Sequence, residues 1–310
     1  MSTPSITTDP AAVDPTAVDP TDVDPTAAAW AELSLAAALV PELAVPLRAL
    51  ADQMGAVAAA DQIARWQMPG DGGDLPFAFQ ALNAYMGTRQ PGAELLADAH
   101  AANIRFIPGD QLPDTWELPG VWVYGDGPDS LLTTRAVAVL GSSSSSRYAD
   151  GVAGDFGISL AEQGQVLCSD GGFGASSAAL RGALVARGTT VTVLGRGLDV
   201  ALREAGSMSR LYAAAAEDGL LVSAQPPGFA ASTARRGLAG DMIARYARDV
   251  VVVEAAVGDP ALAIAATSLS LEGHVWGVPG PINSRLSAGV NAAIARQQMV
   301  MLTAVTDLSL

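Results

Sequence analysis

Lysine is absent from this 310-residue chain, and cysteine and histidine are nearly absent. Every fixed cation is therefore an arginine, and no G-x-x-x-x-G-K-[ST] loop exists, which excludes a P-loop nucleotide hydrolase. The lone Cys168 excludes an intramolecular disulfide, so nothing indicates an oxidising compartment. One cysteine and two distant histidines, His100 and His274, cannot form a zinc site. We expect neither a metal nor a cofactor.

Long apolar runs and a basic N-terminal segment are also missing. No run is long enough to span a bilayer, and nothing resembles a secretion signal. We therefore expect a cytoplasmic protein without membrane contact. Half of the residues are hydrophobic, so the chain can bury a substantial core.

The net charge of −15 is unevenly distributed along the chain. Residues 1–29 contain five Asp and no cation, whereas residues 30–130 contain 13 acidic residues and 4 Arg. Residues 131–310 contain 14 acidic residues and 13 Arg, so this part is almost neutral. Phosphate binding needs clustered cations, and the overall acidity argues at first against a nucleic-acid partner. The acidity, however, is concentrated upstream of the C-terminal part.

Composition and periodicity predict three segments. Residues 1–29 repeat Asp-Pro every five residues and contain no aromatic residue, which predicts a disordered acidic tail. Residues 30–107 have apolar positions at helical spacing, including "PFAFQALNAYM" at 76–86, and predict a small helical subdomain. From residue 108 to 310, short apolar strands such as "AVAVLG", "TTVTVLG" and "DVVVVEA" alternate with helices. This alternation predicts an α/β fold, with a Rossmann-like, doubly wound, mostly parallel sheet.

Glycine-rich and serine-rich loops follow the predicted strands. They read "GSSSSSR", "SDGGFG", "GRGLD" and "EAAVGDP". In doubly wound sheets, ligands bind where such loops run into helix N-termini, and glycine lets backbone amides approach an anion. The spaced glycines of G-x-G-x-x-G are absent, which disfavours an ordinary dehydrogenase. Glu254, at the end of "VVVVE", is either a carboxylate that interacts with free amides at a helix N-terminus or a ligand contact.

Residues suited to catalysis are scarce. His100 falls in the helical segment and His274 at a strand start, and each is more typical of a structural histidine than of a general base. Ser169 and Asp170 have no histidine near them in sequence, so nothing supports a Ser-His-Asp site. We therefore expect a binding protein rather than an enzyme.

The order "VAVLGS", "SDGGFGASSAALRGAL", "TVTVLGRGLD", "DVVVVEA" and "HVWGVPGPINSRLSAGVNAAI" resembles the DNA-processing protein A (Smf) family. The resemblance runs from about residue 120 to residue 310, and "VPGPINSRLSAGVN" is its most specific part. It implies a SAM-like helical subdomain, single-stranded DNA binding without catalysis, and a cytoplasmic homodimer. It also implies that the protein loads a RecA-type recombinase during natural transformation or related DNA uptake. Cations at the strand ends would hold the phosphates, so binding would be strongly salt dependent.

The chain departs from the family pattern at several cationic positions. The family has Gly-Ser-Arg or Gly-Thr-Arg in the first loop, where this chain has Gly141, Ser142 and Ser143. In the second loop, Phe173 occupies the place of an arginine and Ser176 that of an aspartate. Asp241 stands where another family arginine is expected. Phe173 is therefore either a surface on which a base stacks or a hydrophobic plug that closes a disused site.

The residues that we expect to form the DNA site come from these loops and from nearby arginines. They are Gly141, Ser142, Ser143, Arg147, Ser169, Gly171, Gly172, Phe173, Gly174, Arg181, Arg235, Arg236, Arg245, Ser284, Ser287 and Asn291. Together with Arg248, four of the arginines (Arg147, Arg235, Arg236 and Arg245) are candidates for a displaced basic patch.

Two other functions remain open from the sequence. The neutral loops are compatible with a sensor of a nucleotide-derived small molecule that has lost DNA binding. The acidic tail is compatible with a protein-interaction role, as a partner-binding or DNA-mimicking segment. The second loop also resembles the LOG family of nucleotide-binding proteins, but the catalytic Pro-Gly-Gly-x-Gly-Thr-x-x-Glu of that family is absent.

Overall fold

A computed structural model describes residues 23–65 and 92–308 of the chain. Its centre is a nine-stranded sheet in the order β1-β2-β6-β5-β4-β3-β7-β8-β9. Strands β3 to β9 are mutually parallel, while β1 and β2 form an antiparallel extension next to β6. The predicted doubly wound, mostly parallel α/β fold is confirmed. The strands are β1 Arg105–Pro108, β2 Gly120–Tyr124, β3 Ala136–Leu140, β4 Val166–Ser169, β5 Thr190–Val193, β6 Leu220–Ser223, β7 Ala247–Val252, β8 His274–Gly277 and β9 Val300–Met301.

Helices cover both faces of the sheet. They are α1 Pro25–Leu39, α2 Ala44–Met54, α3 Ala56–Arg65, α4 Gly92–Ala101, α5 Arg147–Glu162, α6 Ala175–Val185, α7 Leu198–Arg203, α8 Ser207–Glu217, α9 Thr233–Tyr246, α10 Pro260–Ser270 and α11 Ala288–Ala295. Helices α5, α6 and α8 pack in one core with Val139 and Val251. Helices α9 and α10 pack in the other with Ala138 and Val250. Successive residues of a strand thus point to opposite faces of the sheet, as the pleat requires. None of the described helices combines the length and apolarity that a membrane span needs.

The N-terminal helix begins earlier than the sequence predicts. The predicted tail extends to residue 29, but α1 begins at Pro25, and the Asp24 carboxylate accepts the backbone N–H of Thr26. An aspartate followed by proline suits a helix start, because proline at the first helical position loses no hydrogen bond. Residues 1–22 and the helix expected at 76–86 lie outside the described residues. The boundary at residue 107 stays a prediction, because Trp30 and Leu33 share a core with strand β2.

The order of the strands creates a crevice at one edge of the sheet. From β3 the chain moves to β4, β5 and β6 on one side and then returns to β7 on the other side of β3. The helices that follow β3 and β7 therefore lie on opposite faces, and the connections to them diverge. Such a topological switch point is where open α/β sheets bind ligands.

Candidate nucleic-acid interface

The two loops that follow β3 and β4 touch each other at the carboxyl edge of the sheet. The N–H of Ala175 lies 3.4 Å from the carbonyl oxygen of Ser142. Gly174 adopts φ +74°, and a Cβ there would collide with the Ser142 carbonyl. Only glycine combines this backbone conformation with so close an approach. The candidates Gly141, Ser142, Ser143 and Gly174 are thus brought together.

Glu254 lies in the switch-point crevice and is buried, with 1 % of the residue exposed. The N–H of Ser146 donates to Glu254 Oε2 at 2.7 Å, and the Ser146 hydroxyl donates to Oε1 at 3.0 Å. Ser146 is also the N-cap of α5, since its hydroxyl accepts the N–H of Ala149. Of the two alternatives for Glu254, the structure shows the carboxylate at a helix N-terminus.

The second loop is held by its own hydrogen bonds. Ser169 Oγ accepts the N–H of Gly171 at 3.2 Å and donates to the Ser176 carbonyl at 3.4 Å. The Asp170 carboxylate accepts the N–H of Gly172 at 2.8 Å, and burial raises the pKa of this carboxyl. Tyr212 donates its hydroxyl to the carbonyl of Gly171 at 2.6 Å. These bonds hold the backbone of the loop from both sides and leave its tip at the surface.

Phe173 forms the tip of the second loop. Its side chain is 63 % exposed. A plug that closed a disused site would be buried, so the exposure argues against the plug and leaves a ring face accessible to a base. Base–aromatic stacking is tolerant of sequence, because every base has a π-face.

Two of the predicted arginines are available at this edge. Arg147 is the first residue of α5 and is exposed. Arg236 is exposed near the start of α9, where its backbone packs against Gly195, directly beyond the carboxyl end of β5. Neither side chain makes a hydrogen bond or ion pair with the residues that the structure describes. Both guanidinium groups are therefore free to meet a phosphate.

The other predicted arginines do not join them as free cations. Arg235 donates to the carbonyls of Ala38 and Ala230 and lies 4.7 Å from the Phe229 ring centroid. Its contact with Ala38 makes Arg235 a packing residue between α9 and α1, and burial there lowers its pKa. Arg181 donates to Ser177 Oγ within α6.

Arg245 and Arg248 lie at the opposite edge of the sheet. Arg245 is one residue from the end of α9, pairs with Glu117 at 2.7 Å and donates to the Thr115 carbonyl. Arg248 is the second residue of β7 and is therefore at its amino end. The displaced basic patch that we expected from these arginines does not assemble as one cluster, because α9 spans the sheet from edge to edge.

The loop after β8 forms another part of the carboxyl edge. Asn291 and Gly280 exchange two hydrogen bonds of 3.0 and 3.1 Å, and Ser287 is buried beneath Gly280. The predicted Asn291 therefore holds the loop in shape, whereas the buried Ser287 hydroxyl packs against Gly280 without a hydrogen bond to the described residues. The N–H of Ser284 donates to the Pro281 carbonyl in the turn. The loop also contacts α5, where the Tyr148 hydroxyl donates to the Pro279 carbonyl at 2.9 Å.

Three exposed side chains on this edge are not among the residues predicted from sequence. Arg285 is exposed, and its side chain makes no ion pair or hydrogen bond with the described residues. Ile282 is fully exposed, at 100 %, and Val257 is exposed in the loop that follows β7. Arg285 could have been predicted from sequence. It is the lone cation in the loop "VPGPINSRLS" after a strand, and a cation in such a loop is expected to face solvent.

The histidines are placed away from this edge. His274 begins β8, with its Nδ1 atom 3.1 Å from Asp249 Oδ1, and His100 lies in the last turn of α4. Within residues 23–65 and 92–308, no group of His, Cys, Asp and Glu side chains is arranged to hold a metal ion.

Asp249 is a buried carboxylate at the amino edge, 1 % exposed. Burial alone would raise the pKa of Asp249, but hydrogen bonds from Arg135, Trp276 and His274 outweigh it and hold the pKa below its usual range. A carboxyl with a lowered folded-state pKa stabilises the fold above its unfolded pKa, and this contribution disappears as the pH falls through the folded pKa.

We expect Asp249→Asn to lower the free energy of unfolding at neutral pH by about 1 kcal/mol, because partly exposed partners regain water. The deficit should shrink in acid, where the wild-type carboxyl also becomes neutral. Urea unfolding at neutral pH and at acidic pH measures both values. A deficit that does not change with pH would contradict the assignment.

The geometry defines a class of protein: a doubly wound α/β protein whose ligand edge is lined by glycine and serine loops with a few free arginines. Residues 110–309 match the family model described as DNA recombination-mediator protein A, and the chain belongs to this family.

Curated relatives agree with this assignment. The chain is 34 % identical over 174 residues to the "Putative DNA processing protein DprA" of Mycobacterium tuberculosis H37Rv, covering 56 % of this chain and 44 % of that protein. It is 31 % identical over 211 residues to the "Protein Smf" of Escherichia coli K12, covering 65 % of this chain and 54 % of that protein. The chain thus spans about half the length of these relatives.

Two solved structures share the fold. DNA processing protein A from Streptococcus pneumoniae superposes with a TM-score of 0.68 and 20 % identity, over 92 % of this chain and 97 % of that one. The Helicobacter pylori protein, described with a single-stranded DNA binding mode, superposes with a TM-score of 0.59 and 18 % identity, over 66 % of this chain and 93 % of that one. At these identities the likeness shows the fold alone.

Proposed function

We propose that this protein binds single-stranded DNA along the carboxyl edge of its sheet and catalyses no reaction there. The observation that carries the proposal is the exposed Phe173 at the tip of a hydrogen-bonded loop, with Arg147 and Arg236 free on the same edge. Aromatic platforms combined with cations are the usual means of binding single strands without sequence preference. The family assignment and the DNA binding described for the H. pylori protein support it.

Fluorescence anisotropy with labelled oligo-dT at low salt tests the proposal directly. We expect saturable binding, with a preference for the single strand over a duplex of equal length, because a paired base cannot stack on Phe173. No binding at high micromolar protein would overturn the proposal.

The salt dependence should be shallow for a DNA-binding protein. Arg147, Arg236 and Arg285 are the candidates for direct phosphate contacts, and single strands contribute about −0.7 per contact to the slope of log K against log salt. The slope should therefore be about −2, weaker than the strong dependence that the family resemblance implies. Arg147→Ala should reduce its magnitude by roughly 0.7, whereas Arg245→Ala, at the opposite edge, should leave it unchanged. Equal effects of the two substitutions would contradict this placement.

We further propose that the protein acts as a homodimer that loads a RecA-type recombinase onto DNA during transformation or related uptake, in the cytoplasm. The family description as a recombination mediator supports the second part. The exposed Val300 and Met301 on the outer strand β9 offer an apolar edge for self-association. Light scattering of the full chain measures the dimer, and recombinase filament formation on coated single strands measures loading.

The alternative of a small-molecule sensor is less well supported by the geometry. Glu254 fills the part of the switch-point crevice where a nucleotide phosphate would bind. A thermal-shift screen with nucleotides, dinucleotides and cyclic nucleotides decides between the two functions. Stabilisation by one of these ligands would favour the sensor.

A further inference from the structure

The switch-point crevice holds an anion that belongs to the protein itself. In doubly wound sheets this crevice faces the N-terminus of the helix after the first core strand, whose free N–H groups attract phosphate. Here both oxygens of the Glu254 carboxylate are occupied by Ser146, through its N–H at 2.7 Å and its hydroxyl at 3.0 Å. The position that a phosphate would take is therefore already filled by a negative charge.

The backbone fixes Glu254 in this place. The N–H of Ser142 donates to the Glu254 carbonyl at 2.5 Å, and the N–H of Val253 donates to Leu140 at 2.9 Å. These bonds extend the pairing of β3 and β7 beyond both strand ends. The backbone of Glu254 is thus fixed at the point from which its side chain reaches Ser146. The positive end of the α5 dipole stabilises the charge of the carboxylate.

A second anion cannot share the crevice at low cost. The carboxylate is buried, so a phosphate beside it would meet a like charge with little screening by water. Asp150 adds another carboxylate in the first turn of α5, where it accepts the hydroxyl of Ser145. Removal of the Glu254 carboxylate would leave the N–H and hydroxyl of Ser146 without their acceptor, beside the exposed Arg147.

We propose that Glu254 is a specificity-determining residue that excludes free phosphate and nucleotides from the crevice. A bound DNA strand is thereby confined to the exposed rim that carries Phe173, Arg147 and Arg285. The path of the DNA strand rests on the proposed function. The exclusion of phosphate by Glu254 does not, because it requires no DNA binding.

Thermal unfolding with inorganic phosphate, at constant ionic strength maintained with chloride, tests the exclusion. We expect no phosphate-dependent shift for the wild type and a saturable rise in Tm for Glu254→Ala, because ligand binding to the folded state alone stabilises it. Glu254→Gln keeps the shape and should respond at least tenfold more weakly than Glu254→Ala. Asp259→Ala removes the cap carboxylate of α10 and is the matched control, for which we expect no rise. Equal rises for Asp259→Ala and Glu254→Ala would overturn the proposal.

A measurement on the wild type decides the question even where Glu254→Ala fails to fold. In NMR titrations with inorganic phosphate or AMP, the amide signal of Ser146, whose N–H donates to Glu254, should not move beyond the chloride control. A saturable shift of this signal at millimolar ligand would overturn the proposal. Oligo-dT binding is measured separately, so a wild type that binds neither DNA nor phosphate refutes the proposed function and supports the role of Glu254.

Discussion

Replacing Phe173 with alanine should weaken oligo-dT binding by about 1–3 kcal/mol, the usual value of one stacked base. This corresponds to roughly one to two powers of ten in Kd. The side chain is 63 % exposed, so its loss removes little packing and the free energy of unfolding should barely change. Anisotropy with labelled oligo-dT measures the affinity, and urea unfolding measures the stability.

Two further variants make this result specific. Phe173→Trp keeps a stacking surface and should bind oligo-dT at least as well as the wild type. Val185→Ala removes a comparably exposed apolar side chain at the far end of α6 and should have no effect on Kd. An unchanged Kd for Phe173→Ala would contradict a stacking role, and the same loss with Val185→Ala would indicate a nonspecific effect.

Replacing Gly174 with alanine should destabilise the protein and disturb both loops of the site. Gly174 has φ +74° and ψ −134°, a conformation that L-residues rarely adopt and that costs them about 1–3 kcal/mol. The added methyl would also collide with the Ser142 carbonyl and approach Ser145 Oγ. Overpacking of this kind typically costs a further 1–3 kcal/mol, so we expect a total loss of about 2–6 kcal/mol.

The matched control for this prediction is Gly151→Ala on helix α5. Gly151 has open space around its Cβ position and no positive φ. Alanine there should stabilise the helix by about 0.5–1 kcal/mol, because glycine loses more backbone entropy on folding. Urea unfolding of the two variants measures both changes. If Gly174→Ala had wild-type stability, the prediction that the close contact between Gly174 and Ser142 requires glycine would be wrong.

The meeting of the first two loops could be predicted from sequence because it depends on local rules. Alternation of strands and helices implies a parallel sheet, and the carboxyl ends of parallel strands share one edge. The serine loop and the Ser-Asp-Gly-Gly-Phe-Gly loop follow consecutive strands, and the structure pairs those strands as β3 and β4. Their contact therefore follows from the order of the elements.

Which arginines are free and which are packed or paired could not be predicted in the same way. Arg235 and Arg236 are adjacent in sequence, yet one packs against α1 and Phe229 while the other faces solvent at the end of β5. Neighbouring residues on a helix point in different directions, and what each one meets depends on elements far away in sequence. Arg245 lies nine residues after Arg236, at the other end of α9, and is held there by Glu117.

The sequence by itself determined the fold class, the glycine and serine loops at the strand ends, and the shortage of cations in those loops. These properties depend on periodicity, turn chemistry and composition, which act over a few residues. Only the tertiary structure decided that Phe173 is exposed, that Arg147, Arg236 and Arg285 are free, and that Glu254 fills the crevice. The acceptor and donor in that crevice, Glu254 and Ser146, are 108 residues apart. A charge finds its partner through the fold, because electrostatic and hydrogen-bond contacts depend on distance in space and not on separation along the chain.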